Sequence, residues 1–358
     1  MSSATRPRII ATRSMPSDLL EQYSASGDIE LAICPSSDGP SRRQWLLNHV
    51  AGASGLVVFL GDKVDEELLN AAGPSLRCVS TMSVGYDHCD TDALRKRRIR
   101  LGTTPNVLNA AVADLALMLT LMTMRQVPLA VPVVQQGTWS DHPWSPLGFC
   151  GPSLGGKTIG FYGFGAIAQT VALRLVPFHP AHILYTTSKP KPFDPQGNSA
   201  FHVLATGEDD DPLPSGRLYR PLPFPYRDIP VENCTLEEML PQVDVLYVLA
   251  SFNPSTKHTI NASVFANMKR SAVVINASRG GLVKTEDLVD ALRKGIIAGA
   301  GLDVLEGEPS ESAFPQSSSS NSADTSCPLS HQFRYPRFAS TAVRARGARE
   351  SRPASTYR

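Results

Sequence analysis

The sequence predicts an α/β protein built as two doubly wound parallel-sheet domains. Short β-rich apolar runs alternate with amphipathic stretches along most of the chain, the pattern of strands that cross over through helices into a sheet covered on both faces. The alternation breaks once, at a long apolar stretch and a Pro/Trp/Gly-rich connection, and then resumes. The 358 residues are enough for about two domains, and a hydrophobic content of 42% suffices for two ordinary cores.

The first series of strands is Arg8 to Thr12, Ile29 to Ile33, Gly55 to Leu60, Arg77 to Ser80 and Ile99 to Gly102, with amphipathic Ser17 to Ser24 and Ser41 to Val50 between them. It defines a first domain over residues 1–106. A helix follows over Asn109 to Arg125. Its apolar part, Ala110 to Met124, contains Asp114 and is too short to span a bilayer, so it reads as a buried helix and no membrane partner is expected. The second series is Lys157 to Tyr162, Ile183 to Tyr185, Val243 to Val248, Ala272 to Ile275 and Ala298 to Asp303. It places a second domain over 107–309.

Two stretches stand outside the pattern. Residues 190–232 hold nine of the 29 prolines and the acidic run Glu208 to Asp211, and read as a surface insertion. After Pro309 comes a Ser-rich run, then a tail with seven arginines between Arg334 and Arg358 and one acid, Glu350. Residues 310–358 are therefore expected to be disordered or aberrant, as an altered reading frame or an unspliced intron would make them.

Charge and cysteine usage narrow the function classes. With 34 Lys+Arg against 33 Asp+Glu, the net charge of +1 gives no electrostatic case for nucleic acid or a membrane surface. The six cysteines show no C-x-x-C spacing and no nearby histidine pair, so neither a disulfide scaffold nor a metal site is expected. Met1 to Arg13 lacks an apolar core for a signal peptide, and the expected compartment is the cytoplasm.

The strongest chemical signal is Gly163-Phe164-Gly165-Ala166-Ile167-Ala168, which follows a strand and opens a helix. Its first glycine permits the tight turn, and its second lets the backbone approach a pyrophosphate at the helix N-terminus. The next strand ends Thr186-Thr187-Ser188-Lys189-Pro190-Lys191, with no carboxylate to accept from an NAD ribose. Ser188 and Lys189 suit a 2′-phosphate, so NADP(H) is preferred and NAD(H) remains possible; solvated loop lysines would look the same. Arg279, in Asn276-Ala277-Ser278-Arg279-Gly280, lies at a buried strand's C-terminal end, where its planar fork could meet a carboxylate. A structural ion pair is an equal reading of that arginine alone.

Taken in order, Ser80-Thr81-Met82-Ser83-Val84-Gly85-Tyr86-Asp87, Thr104-Pro105-Asn106, the glycine turn, Asn276 to Gly280 and Gly301-Leu302-Asp303-Val304…Glu308-Pro309 resemble the D-isomer-specific 2-hydroxyacid dehydrogenase family. Within it they most resemble the glyoxylate/hydroxypyruvate reductases. The resemblance runs from about residue 8 to 309. It implies a flavodoxin-like substrate domain, a Rossmann dinucleotide-binding domain and a homodimer formed through the latter and the segment around Trp139 to Phe149. It also implies NADPH-dependent reduction of a small 2-oxo acid to a D-2-hydroxy acid. By resemblance, the amides of Val84 and Gly85 hold the substrate carboxylate and Arg279 bridges carboxylate and carbonyl. Gly163, Gly165, Ala166, Ile167, Ser188, Lys189, Ser251, Ala277 and Asp303 serve the cofactor, Asp303 through the carboxamide. Glu308 matches the glutamate that keeps the catalytic histidine protonated.

That histidine has no match. The corresponding segment reads Pro336-Arg337-Phe338-Ala339-Ser340-Thr341, and Arg337 cannot act as a general acid. His331 lacks the motif, and His49, His88, His142, His179, His182, His202 and His258 read as surface or core residues. Two functions therefore stay open: a reductase impaired at its proton-donating step, or an inactive NAD(P)-binding scaffold or sensor.

Overall fold

The computed structural model describes residues 6–15, 18–35, 40–142, 144–145, 148–188, 229–307 and 341–344. The chain divides into two compact units, Met1–Leu108 and Asn109–Arg358.

The first unit is a parallel five-stranded sheet in the order β2-β1-β3-β4-β5. Its strands are β1 (Arg8–Ala11), β2 (Glu30–Ile33), β3 (Gly55–Val58), β4 (Cys78–Thr81) and β5 (Arg100–Gly102). Four helices connect them: α1 (Leu19–Ala25), α2 (Pro40–His49), α3 (Glu66–Ala72) and α4 (Thr91–Lys96). Two aspartates cap helix starts. Asp65 accepts from the Leu68 amide at 3.1 Å and Asp90 from the Ala93 amide at 2.9 Å, satisfying amides that a helix start leaves without partners. Ile10, Leu46, Leu56, Leu68, Leu69 and Leu94 fill the core. At the C-terminal end of β1 and β3, the buried Arg42 and Asp62 pair at 2.7 Å, and the Thr12 hydroxyl donates to the same carboxylate.

The second unit opens with α5 (Asn109–Met124) and α6 (Val127–Gln135). Helix α6 takes up the first part of the Pro/Trp/Gly-rich connection; Pro128 sits in its first turn, where an amide proton would have had no partner anyway. There follow β6 (Thr158–Tyr162), α7 (Ala166–Leu175), β7 (His182–Thr186), β8 (Val231–Asn233), α8 (Leu236–Met239), β9 (Val245–Val248) and α9 (Ala262–Ala266). The series ends with β10 (Val273–Asn276), α10 (Thr285–Arg293), β11 (Gly299–Leu302) and β12 (Thr341–Arg344). The sheet runs β12-β11-β10-β9-β6-β7-β8, parallel except for β12, which lies antiparallel on β11. Strand β8 begins inside the stretch expected to be an insertion, and β12 is the described part of the expected unpatterned tail.

Alternation along these strands feeds two cores. Leu184, Leu246, Val248, Val274 and Leu302 face Val264 and Phe265 of α9 and Leu288 and Leu292 of α10. Ile159, Phe161, Tyr185, Val245, Tyr247 and Ile275 face Ala113, Ala116 and Leu119 of α5 and Val171 and Leu175 of α7. Burial on both faces explains why the strands read as continuous apolar runs rather than alternating ones. The fully buried Tyr247 hydroxyl bonds Thr120 at 2.6 Å, which fixes α5 to the central strand. Burial pushes the Tyr247 phenol well above its usual range, and the Thr120 bond offsets part of that. Among the described residues no single helix is long and apolar enough to cross a membrane.

Candidate functional site

The glycine turn lies where the strand order reverses. Strands β7 and β8 continue to one side of β6 and β9 lies on the other, the crevice in which open α/β sheets bind ligands. Gly163 has φ +90°, and a Cβ on it would come within 2.5 Å of the Ala250 backbone, so only glycine fits. Its amide donates to Thr186 O at 3.1 Å, tying the turn to the tip of β7 just before the exposed Ser188. Gly165 forms the N-cap of α7, and no atom lies within 4 Å of where its Cβ would be. Ala166 and Ile167 make the first helical turn. The helix start is thus open, with its amide dipoles unscreened by a side chain, and it fits a pyrophosphate. Lys189 lies outside the described residues.

Beside the turn, β9, β10 and β11 end in loops that touch one another. The Ser278 hydroxyl donates to Ala250 O at 2.8 Å, next to Ser251 on the β9 loop, which is exposed. The Asn276 side chain accepts from Ser278 N at 3.1 Å and donates to Arg279 O at 2.9 Å, which shapes the loop that presents the half-buried Arg279. Ala277 is buried in that loop. The Asp303 amide donates to Asn276 O at 2.9 Å, so Asp303 sits at the neighbouring strand end. Burial raises the Asp303 carboxyl above its ordinary value. Gly280 passes so close to the next loop that a Cβ would lie 2.0 Å from the Leu305 carbonyl carbon.

One pair in this cluster escaped the sequence reading. His258, held at φ +54°, donates its backbone amide to Gly281 O at 2.9 Å, and its Nε2 bonds the Glu306 carboxylate. The second Glu306 oxygen accepts from the Thr285 amide at 3.2 Å, so one carboxylate ties together the loops after β9, β10 and β11. Burial would raise the Glu306 carboxyl, but the bonds from His258 and Thr285 outweigh it and hold it below the usual range. A left-handed histidine persists only where its surroundings hold it, and nothing in local sequence spacing announces a partner 48 residues away. Glu308, Arg337 and His331 lie outside the described residues.

In the first unit, Val84 and Gly85 occupy the loop after β4, half-buried. Thr104 N donates to Ser83 O at 2.9 Å. In a trans peptide the carbonyl and the following amide point in opposite directions, so this bond turns the Val84 amide away from Thr104. Among the described residues, the amides of Val84 and Gly85 meet no acceptor. No group of three or more metal-binding side chains occurs among the described residues.

The family model for the D-isomer specific 2-hydroxyacid dehydrogenase NAD-binding domain matches residues 117–205 and 219–324. A glyoxylate reductase/hydroxypyruvate reductase of Mus musculus is 36% identical over 315 residues, covering 88% of this chain and 86% of the relative. A glyoxylate reductase of Thermofilum pendens is 34% identical, covering 85% of this chain and 79% of its own. Among solved structures, an NADPH-dependent glyoxylate/hydroxypyruvate reductase of Sinorhizobium meliloti in complex with NADP and malonate superposes with a TM-score of 0.63 at 31% identity, covering 86% and 82% of the two chains. A Thermus thermophilus protein gives a TM-score of 0.67 at 33% identity, covering 86% and 85%. With its two parallel sheets, its glycine turn at the switch point and these matches, the chain belongs to the D-isomer specific 2-hydroxyacid dehydrogenase family of oxidoreductases.

Proposed function

We propose that the chain reduces small 2-oxo acids such as glyoxylate and hydroxypyruvate to D-2-hydroxy acids, with NADP(H) preferred. The observation that carries this reading is the presentation of Arg279 and Asp303 at adjacent strand ends beside an open glycine turn. When bound, the reduced dinucleotide supplies the hydride. The amides of Gly165, Ala166 and Ile167 hold the pyrophosphate, and Ser251 and Ala277 contact the cofactor. Asp303 accepts from a carboxamide, which suits a carboxyl at a partly desolvated strand end. Ser188 and Lys189 favour a 2′-phosphate, since no carboxylate there would repel it. The Val84 and Gly85 amides bind the substrate carboxylate. Arg279 grips carboxylate and carbonyl together and stabilises the negative charge that grows on the carbonyl oxygen.

Proton delivery to that oxygen is the weak step. The motif that would carry the proton-donating histidine has Arg337 in its place, and loss of a positioned general acid typically lowers turnover ~10²–10⁴-fold. The protein acts in the cytoplasm, a reading supported by six cysteines whose spacing is not that of a disulfide framework. It acts as a homodimer, supported by an exposed aromatic segment in which Trp139 stacks on Phe149 at 5.7 Å and Trp144 is 88% exposed.

The test is NADPH oxidation by the full chain with glyoxylate or hydroxypyruvate. Slow turnover, faster with NADPH than NADH and lost in Arg279→Gln, is the expected outcome. Tight dinucleotide binding with no turnover on any 2-oxo acid would replace the reading with that of a scaffold or sensor.

A further inference from the structure

Behind the Val84–Gly85 loop, three side chains form a continuous hydrogen-bonded line. Ser83 Oγ donates to Gly85 O at 2.6 Å. Thr81 Oγ1 lies 2.8 Å from Ser83 Oγ, and His88 Nε2 lies 2.9 Å from Thr81 Oγ1. Thr81 is fully buried and Ser83 nearly so.

Chemistry fixes the direction of this line. A carbonyl oxygen can only accept, so the single Ser83 hydroxyl proton goes to Gly85 O. Ser83 Oγ must then accept from Thr81, which commits the Thr81 proton. The remaining bond requires a proton on His88 Nε2. Each link polarises the next, so the bonds support one another. The far end is anchored as well: His88 O accepts from Val64 N at 2.9 Å, and Cys89 N donates to Tyr86 O at 2.9 Å.

We propose that His88 is a positioning residue for the substrate carboxylate. Its Nε2–H orients Thr81 and Ser83, and these pin the Gly85 carbonyl inward. Ser83 O held by Thr104 fixes the peptide that carries the Val84 amide, and Gly85 O held by Ser83 fixes the peptide after Gly85, so the Val84–Gly85 peptide that carries the Gly85 amide is clamped between two fixed planes. The two amides are thereby preorganised, which saves the cost of ordering a loop on binding. This inference rests on the reading of those amides as the carboxylate site.

The experiment is titration of the ¹⁵N-labelled full chain with oxamate, an unreactive 2-oxo acid analogue, following the Val84, Gly85 and Tyr86 amide resonances. Ser83→Ala, Thr81→Val and His88→Leu each cut the line at a different link and should weaken oxamate binding roughly 3- to 10-fold. His88→Gln places an N–H donor near the same point and should stay within about twofold of the unmodified chain. NADPH affinity and the melting temperature serve as controls. A residue that only supported the fold would shift all ligands together and would not be rescued by glutamine. Should His88→Leu fail to fold, the near-isosteric Thr81→Val carries the test. Unchanged oxamate affinity in the three cutting variants, with amides that respond to oxamate in the unmodified chain, would overturn the proposal and leave the carboxylate reading intact. Amides that ignore oxamate in the unmodified chain would remove that reading, and this proposal with it.

Discussion

In the second unit the loops at the strand ends press on one another backbone to backbone, whereas in the first a single loop is held from behind by two hydroxyl groups and a histidine ring. Gly163 against Ala250 and Gly280 against Leu305 leave no room for a methyl group. The Val84–Gly85 loop is set by side chains that could be exchanged one at a time. Contacts of the first kind are all-or-none, because backbone cannot step aside as a side chain can. Contacts of the second kind are graded, since each link contributes on the order of 1 kcal/mol.

The sharpest way to break this comparison is a methyl group at Gly280. Gly280→Ala should destabilise the chain by ~3 kcal/mol or more, because the nearest atoms are the Leu305 carbonyl and the Glu306 amide. Gly102→Ala, in the first unit, brings its Cβ no nearer than 3.4 Å to the Ser80 hydroxyl and should change stability by less than ~1 kcal/mol. Denaturant unfolding of both variants decides it. Equal losses would mean that the two units tolerate crowding alike.

A smaller effect is expected from Glu306→Gln. Because the folded chain holds this carboxyl below the usual range, its contribution is complete above that range and is lost as pH falls through the lowered value. The variant should therefore melt lower than the unmodified chain near neutrality, and the gap should close as pH falls through the lowered value. A pH-independent gap would assign the loss to packing rather than to the bonds from His258 and Thr285.

The smallest effect concerns thiols. Burial, with a lesser contribution from nearby Asp87, pushes the Cys89 thiol up to about 11. Alkylation at neutral pH should reach the exposed Cys78 and Cys150 first and leave Cys89 unmodified in the folded chain. Mass-mapping of early adducts checks this, and early labelling of Cys89 would reveal opening of the loop that begins at Ser83.

Much of the fold was legible because each core strand is buried on both faces. Phe161, Val245 and Ile275 belong to runs whose apolar character has one simple cause. Strand β8 was not legible: three residues with an exposed Glu232 at their centre carry no such run. Helix α6 was hidden by two prolines, one accommodated in its first turn and the other, Pro132, inside it. In the candidate site, Arg279 drew attention because strand ends concentrate ligand groups, Gly163 because a tight turn demands it, and Asp303 through the family resemblance. His88 and His258 could not, since their meaning lies in partners brought close only by folding: Thr81 and Ser83 for one, Glu306 for the other.

The antiparallel strand β12 has a consequence for how the chain behaves in company. Strand β11 is Gly-Ala-Gly-Leu, wholly buried and without a charge. Left bare, its outward row of amides and carbonyls would be an adhesive margin on which another molecule's strand could add. At the opposite margin β8 carries Glu232, whose charge discourages such growth. Thr341–Arg344 pairs with the row on β11 backbone to backbone, so the part of the sequence with the least pattern occupies the margin that β11 would otherwise present.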